Sequence, residues 1–257
     1  MIYWLKDEKE NWQPYPNSRT PLLSVLTERL KRQAPFPKAE GALCVCLAGA
    51  GGKTSLLWEL RRECDSLGQS ALVTATTHMM LTPRMLETGF AAGTPVLPPV
   101  REGKWIKCAA PDPDSLEAFR HQRAVLLIEA DGSRRLPMKI PASHEPVIPE
   151  WSRIILVLCG LSALGQPPEK VCHRWALFGK NRETLCRVTP ALMADVMREY
   201  YLEPLSRRFP SALVLPVWNQ ADTPALLEQA RQTAALCGWS FQLIMRISPA
   251  KPDNTAD

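Results

Sequence analysis

The hydrophobic positions of this chain form short apolar runs that are separated by polar, turn-forming segments. From residue 42 onward these runs recur regularly, and each has the length of one β-strand. They lie at residues 42–48, 71–77, 124–129, 153–159, 212–218 and 240–247. Because the runs are almost continuously apolar, they are typical of strands in a parallel sheet that is covered on both faces.

Helical patterns lie between several of these runs. An apolar stripe predicts an amphipathic helix over residues 56–67. Thr189-Pro190 and Thr223-Pro224 each place a capping hydroxyl before a proline at the first helical position. Strands that alternate with helices predict an α/β fold of three layers, in which a mostly parallel sheet lies between helices. Ligands of such folds bind at the carboxyl ends of the strands.

The two ends of the chain differ from this regular middle. Residues 1–40 are polar and rich in proline, with one short helix predicted over residues 22–30, so we expect an N-terminal extension that packs on the domain. Residues 41–247 form the folded domain, and residues 248–257 are expected to be a flexible tail. Within the domain, residues 81–113 predict a connection with one or two short irregular strands.

Composition and charge narrow the class of protein. With 257 residues, of which 46% are hydrophobic, the chain is long enough to bury a full core. No apolar run reaches the ~18 residues of a membrane-spanning helix, and residues 1–10 lack the apolar stretch of a signal peptide. We therefore expect a cytoplasmic protein with no membrane partner. The net charge of +5 is scattered, which argues against nucleic-acid binding.

The eight cysteines include no CxxC pair, so their spacing indicates neither a zinc site nor a disulfide framework. Cys44 and Cys46 lie two residues apart on a predicted strand and are expected to behave as small buried hydrophobes. Cys172-His173 is the one pair that remains open as a metal- or selenium-handling site.

The strongest functional motif follows the first regular strand and leads into the first amphipathic helix. It reads Gly49-Ala50-Gly51-Gly52-Lys53-Thr54-Ser55. Glycines let successive backbone N–H groups point at an anion, and the helix N-terminus adds a partial positive charge. Lys53 is placed to reach the outer phosphates and Thr54 to ligate Mg²⁺. Residues 41–247 are therefore expected to be a phosphate-loop (P-loop) domain that binds GTP or ATP with Mg²⁺.

The motif departs from the usual spacing in one respect. The pattern GxxxxGK(S/T) requires a glycine at the position of Leu47. The shorter spacing found here is also that of the loop in Mur-type amide ligases. The loop by itself therefore leaves open whether the nucleotide serves a switch or a ligase reaction.

Carboxylates follow the predicted strand at residues 124–129. Glu129 ends this strand and Asp131 comes two residues later, so the two side chains point the same way if the strand stays regular. Beside a phosphate-binding loop, one carboxylate can hold the metal and another can orient an attacking water. Glu129 and Asp131 are thus candidate metal ligands together with Thr54, and candidate catalytic residues together with Lys53.

The loop that follows is basic. Arg134 is a candidate for the cation that stabilises charge in the transition state of phosphoryl transfer. The alternative is a solvated surface loop, because exposed arginines are common.

Asn219-Gln220-Ala221-Asp222 follows the run at residues 212–218. This element is close to the Asn-Lys-x-Asp sequence by which many GTP-binding proteins recognise guanine. By that comparison Asp222 would accept hydrogen bonds from the base and Asn219 would brace the loop. Gln220 replaces the lysine, and Asp222 can instead begin the cap of the next helix, so both alternatives stay open.

Several segments together resemble the YqeC family of proposed accessory proteins of selenium-dependent molybdenum hydroxylases. They are the glycine-rich loop, Glu129–Arg134 with Leu136–Lys139, His144–Pro149, Val171–Arg174 and Asn219–Asp222. The similarity covers roughly residues 22–247. The resemblance implies a P-loop NTPase-like fold and a role in maturing a selenium- or molybdenum-containing client enzyme, through contact with that molybdenum hydroxylase or with its maturation machinery.

Three functional hypotheses follow. The first is a maturation factor that hydrolyses a nucleoside triphosphate. The second is an ATP-dependent ligase or kinase whose small anionic substrate is held by Arg134, Arg135, Lys139 and His144. The third is a non-catalytic carrier of a pyrophosphate-containing cofactor.

Overall fold

The computed structural model describes residues 1–6, 12–15, 21–33, 41–81, 100–102, 105–108, 110–179 and 182–247. The strands in these ranges are β1 (Ile2–Lys6), β2 (Trp12–Tyr15), β3 (Leu43–Gly49), β4 (Ala71–Ala75), β5 (Met79–Leu81), β6 (Val100–Glu102), β7 (Trp105–Cys108), β8 (Val125–Glu129), β9 (Met138–Lys139), β10 (Ile154–Gly160), β11 (Cys172–His173), β12 (Leu213–Asn219) and β13 (Leu243–Arg246). The α-helices are α1 (Leu22–Gln33), α2 (Lys53–Ser66), α3 (Pro113–Gln122), α4 (Pro168–Val171), α5 (Pro190–Met197), α6 (Glu203–Arg208) and α7 (Pro224–Cys237). A π-helical segment, Arg198–Leu202, joins α5 to α6.

The main sheet has eight strands in the order β2-β1-β13-β12-β10-β3-β8-β4. Every neighbouring pair from β13 to β4 is parallel, whereas β1 pairs antiparallel with both β13 and β2. All six apolar runs form strands of this sheet, because strands buried on both faces exclude polar side chains. The prediction of an α/β fold with a mostly parallel sheet is confirmed.

Helices cover both faces of the sheet. Along β3, Val45 and Leu47 pack in one core with leucines of α1 and α2. The alternate residues Cys44 and Cys46 pack in a second core with α5 and α7. This division follows from the two-residue period of a strand, which sends successive side chains to opposite faces. Cys44 and Cys46 are both fully buried, as the sequence predicts.

The N-terminal segment contributes directly to the sheet. β1 pairs with β13 over the register Ile2↔Arg246 to Leu5↔Leu243, and the predicted helix at residues 22–30 is present as α1. The carboxylate of Glu63 on α2 accepts the backbone N–H groups of Leu22 and Leu23, which otherwise lack partners at the start of α1. The division into an extension at residues 1–40 and a domain at residues 41–247 stays a prediction. The predicted tail at residues 248–257 lies outside the described residues.

A second, three-stranded antiparallel sheet has the order β5-β7-β6. Its strands β6 and β7 lie in the connection at residues 81–113, for which the sequence predicts one or two short strands. None of the helices in the described ranges is long and apolar enough to span a lipid bilayer.

The order of the parallel strands decides which loops meet. β3 lies between β8 and β10, and β12 is the next strand beyond β10. Because these strands are parallel, the segments that follow their carboxyl ends converge on one edge of the sheet. Those segments carry the glycine-rich loop, the carboxylates after β8 and the Asn219 element after β12.

Candidate functional site

The glycine-rich loop between β3 and α2 has a backbone that only glycines adopt readily. Gly51 and Gly52 have φ values of 81° and 118°. A Cβ at Gly51 would lie 2.4 Å from the backbone nitrogen of Gly160, and a Cβ at Gly52 would lie 2.3 Å from Nδ2 of Asn219. The loop therefore fits closely against the ends of β10 and β12, and helix α2 begins immediately after it, at Lys53.

Lys53 is the first residue of α2, and its side chain is only 2% exposed. Its Nζ donates a hydrogen bond of 2.5 Å to the carbonyl of Gly49 and lies 3.1 Å from Oδ1 of Asp131. Oε1 of Glu129 is 3.8 Å away. The ammonium group is thus held at the centre of the loop, where two carboxylates and a carbonyl compensate for the loss of water.

Asp131 is fully buried; it follows the end of β8 and holds the glycine-rich loop in place. Its Oδ2 accepts the backbone N–H of Gly49 at 3.1 Å and the ammonium of Lys139 at 3.0 Å. Its Oδ1 faces Lys53. Each oxygen therefore already has a cationic partner, and Asp131 is not among the described residues that line the cleft beside the loop.

Glu129, by contrast, reaches that cleft from the end of β8. Its Oε2 accepts a hydrogen bond of 3.0 Å from the hydroxyl of Thr54. Burial raises the pKa of Glu129, although Lys53 and the Thr54 hydroxyl oppose that shift. A carboxylate and a hydroxyl placed side by side are the oxygen donors that Mg²⁺ accepts next to phosphate oxygens and waters. Of the two carboxylates that the sequence leaves open, Glu129 lies beside Thr54 in the lining of the cleft, whereas Asp131 holds the glycine-rich loop through Gly49 and Lys53.

The chain of charges continues from Asp131 away from the loop. Lys139, on β9, also approaches Oε2 of Glu145 at 2.8 Å, and Arg174 forms a two-pronged ion pair with the same carboxylate. Burial would raise the pKa of Glu145, but hydrogen bonds from Lys139 and Arg174 outweigh it and lower the pKa to about 2. Three cations and three carboxylates thus alternate from the glycine-rich loop to Arg174.

Sequence reasoning did not assign roles to Glu145 and Arg174 in this network. Both lie in segments that carry the resemblance, but nothing in the linear pattern indicates that a residue after β8 pairs with one after β11. Lys139, which the ligase hypothesis places on a substrate, is instead fully buried between Asp131 and Glu145. His144 is exposed and is not among the described residues that line the cleft.

The cleft has a volume of about 840 Å³, within the range of small-molecule sites. Its described lining includes residues of the glycine-rich loop, Glu129, the basic loop after β8, Arg174 and Gln220. Arg134 and Arg135 are exposed at its rim. The structure therefore brings Arg134 to the same cleft as Lys53 and Thr54.

Strained backbone is concentrated around this cleft. The non-glycine residues with positive φ in the described ranges are Arg134 (51°), Arg135 (61°), Arg174 (60°) and Gln220 (69°). All four line the cleft. Each left-handed residue costs roughly 1–2 kcal/mol, and such conformations persist where the surrounding structure requires them, often at functional sites.

The Asn219 element divides into a buried and an exposed part. Nδ2 of Asn219 donates to the carbonyl of Gly51 at 2.8 Å, so Asn219 braces the glycine-rich loop. Gln220 accepts a hydrogen bond of 2.7 Å from the Ser162 hydroxyl. Asp222 is exposed and is not among the described residues that line the cleft. The next helix is capped by Thr223, whose hydroxyl accepts the N–H of Leu226.

Cys172 and His173 form β11, which pairs with β9. Burial raises the pKa of the Cys172 thiol to about 12, so the group is a neutral thiol at neutral pH. Burial and the neighbouring cations Arg174, Lys139 and Arg134 lower the pKa of His173. Within the described residues there is no cluster of three or more His, Cys, Asp or Glu side chains that could hold a metal ion.

A model of the family described as YqeC protein matches residues 45–176, slightly more than half of the chain. The protein of Escherichia coli (strain K12) described as "Uncharacterized protein YqeC" is 34% identical over 149 residues. That alignment covers 52% of this chain and 58% of the relative, so the chain spans less than two thirds of the relative's length.

Among solved structures, the crystal structure of a DUF1611 family protein from Anabaena variabilis is similar, with a TM-score of 0.45 and 19% sequence identity. The match covers 78% of this chain and 53% of that chain.

Proposed function

This chain belongs to the YqeC family, and we propose that it is a P-loop protein that binds and hydrolyses a nucleoside triphosphate, GTP or ATP, with Mg²⁺. The observation that carries the proposal is the meeting of Lys53, Thr54 and Glu129 in the lining of one cleft. A cation, a hydroxyl and a carboxylate are the groups that a phosphate-binding loop uses on the outer phosphates and their metal.

The glycine-rich loop provides the phosphate cradle. Gly51 and Gly52 line the cleft, and the first turn of α2 adds N–H groups that have no helical partner. The cleft is lined by Lys53, Arg134, Arg135 and Arg174, against Glu129 and Glu145. This excess of positive charge suits a polyphosphate.

Thr54 and Glu129 would hold Mg²⁺. The donor set fits, because a hydroxyl and a carboxylate oxygen lie 3.0 Å apart at the edge of the cleft, and Mg²⁺ takes its remaining ligands from phosphates and water. When bound, the ion neutralises charge on the phosphate oxygens. The residues of the chain then orient the phosphates: Lys53 from the loop and Arg134 from the rim.

Glu129 is also placed to accept a proton from an attacking water, because its carboxylate lines the cleft beside Lys53 and Thr54. Its hydrogen bond with Thr54 fixes the direction of the carboxylate. The role in maturation of a selenium-dependent molybdenum hydroxylase rests on the family resemblance. In that role the nucleotide would hold the loop at Arg134 in one conformation and release it after hydrolysis.

Calorimetry and thermal unfolding with Mg²⁺-GTP and Mg²⁺-ATP test the first step. A nucleotide at 100 times its Kd should stabilise the protein by about 2.7 kcal/mol. Lys53→Ala should abolish this response, whereas Lys31→Ala, which removes an exposed lysine of α1, should respond like the wild type. Thr54→Ala removes no buried charge and keeps the test informative if Lys53→Ala does not fold.

Phosphate release distinguishes hydrolysis from storage. Binding of a nucleotide followed by release of inorganic phosphate supports the hydrolase. Tight binding without any phosphate release would instead favour the carrier hypothesis. An absence of stabilisation by either nucleotide would refute the proposal.

A further inference from the structure

A second cavity, of about 540 Å³, shares a wall with the cleft. Arg134, Leu136, His173 and Arg174 line both spaces. Trp175 and Arg182 add to the lining of the second cavity only. Hereafter this space is called the second lobe.

The second lobe is positively charged. Arginines 134, 174 and 182 line it, and Glu169 is the acidic residue among its described lining. Arg134 is exposed and lines both spaces. The guanidinium of Arg182 donates a hydrogen bond of 2.8 Å to the carbonyl of Ala176, and a guanidinium carries five N–H donors in all, so this bond occupies only one of them.

An apolar wall faces these cations. Trp175 stacks on Phe178 with ring centroids 4.7 Å apart, so its position is held by packing. Leu136 lies on the shared wall. The lobe therefore combines arginine forks, which suit oxyanions, with a rigid surface for an apolar group.

The ion pairs that connect Lys139, Glu145 and Arg174 fix the position of Arg174 on the wall between the two cavities. Glu145 holds Arg174 through a two-pronged ion pair, and Glu145 itself is held by buried Lys139. Arg174 and Arg134 both have left-handed backbone conformations, which place them between the two spaces at an energetic cost. A solvated surface loop does not require such a cost.

We propose that the second lobe binds a small organic oxyanion, a phosphate or carboxylate carried on a compact apolar body, beside the phosphates of the nucleotide. The position of the oxyanion beside a nucleotide rests on the proposed function. The residues that would bind the oxyanion can be tested separately. Arg182 and Trp175 belong to the lobe alone and not to the described lining of the nucleotide cleft.

The test uses phenyl phosphate as the probe. The protein is first saturated with Mg²⁺ and a non-hydrolysable analogue of whichever nucleotide binds, and phenyl phosphate is then titrated by calorimetry at constant ionic strength. We expect saturable binding that Arg182→Ala weakens at least tenfold. Arg187→Ala is the matched control, because Arg187 is an exposed arginine of the same segment that bonds Gly165 outside the lobe. Inorganic phosphate should bind more weakly than phenyl phosphate, because it lacks the apolar body.

Nucleotide binding with no binding of phenyl phosphate overturns this inference and leaves the proposed function intact. Equal effects of Arg182→Ala and Arg187→Ala also overturn it. If no nucleotide binds, the titration is repeated on the nucleotide-free protein with Lys53→Ala added. If only Arg182→Ala abolishes the binding of phenyl phosphate, the result supports binding in the second lobe. If only Lys53→Ala abolishes it, the anion binds at the glycine-rich loop and the inference is refuted.

Discussion

Lys139 donates to Oδ2 of Asp131 at 3.0 Å, and both side chains are completely inaccessible to solvent. The other partners of the ammonium are the carbonyl of Gly132 at 2.7 Å and Oε2 of Glu145 at 2.8 Å. An ammonium has three protons, so each of them has an acceptor here. This lysine connects the carboxylate that holds the glycine-rich loop with the carboxylate that holds Arg174.

Lys139→Met should therefore destabilise the protein by about 3–5 kcal/mol, because it leaves two buried carboxylates short of a cation. Urea unfolding measures the change. Lys170→Met, at an exposed lysine of α4, should stay within about 0.5 kcal/mol of the wild type. Equal stabilities of the two variants would mean that the network around Asp131 does not stabilise the fold.

Glu129→Gln should retain nucleotide binding and slow phosphate release by about 10²-fold or more. Glutamine keeps the size of the side chain and an acceptor for the Thr54 hydroxyl. It supplies no negative charge to a metal ion, and it cannot accept a proton from water. Calorimetry and a phosphate-release assay separate the two effects. Glu228→Gln, at an exposed glutamate of α7, serves as the control and should behave like the wild type. Unchanged hydrolysis in Glu129→Gln would exclude Glu129 from the reaction.

Gly52→Ala should weaken nucleotide binding strongly, because its Cβ would meet Nδ2 of Asn219 at 2.3 Å and displace the brace on the loop. Gly68→Ala is the matched control, since Gly68 also has a positive φ but the methyl group that alanine adds there would meet no atom within 4 Å. Gly68, with a φ of 65°, lies in the left-handed region, where alanine costs about 1–2 kcal/mol. The φ of 118° at Gly52 lies outside that region, so the larger effect expected there combines its own backbone strain with the contact with Asn219. If both bind nucleotide equally well, the close approach of Asn219 is not required.

The pKa of Glu145, lowered to about 2, predicts a specific dependence of stability on pH. A carboxylate with a lowered pKa stabilises the fold above its unfolded pKa of about 4.3 and loses that contribution as the pH falls towards 2. Glu145→Gln should thus be less stable than the wild type at pH 7, and the gap should narrow between about pH 4.5 and 2. Unfolding midpoints across this range measure it. A gap that stays constant with pH would show that the ionised form of Glu145 is not the source of the stabilisation.

Local patterns predicted much of the fold. The six apolar runs became the parallel strands and the capping signals at Thr189 and Thr223 became the starts of α5 and α7. These signals are local: a strand buried on both faces must be apolar along its length, and a cap needs only a hydroxyl within three residues. The strands at residues 2–6 and 12–15 were not predicted, because β1 pairs with β13 at the other end of the chain and β2 pairs with β1.

The candidate site shows the same division. The sequence by itself determined the glycine-rich loop, with Lys53 and Thr54 at the start of a helix, because glycines, a lysine and a hydroxyl in that order have a local structural meaning. Only the tertiary structure shows which of Glu129 and Asp131 faces the cleft. In the sequence the two carboxylates look equivalent, because they are two residues apart. In the structure Asp131 is buried against Lys139, whereas Glu129 lines the cleft. Burial and ion pairing across distant segments cannot be read from spacing, since they depend on which strands the fold makes neighbours.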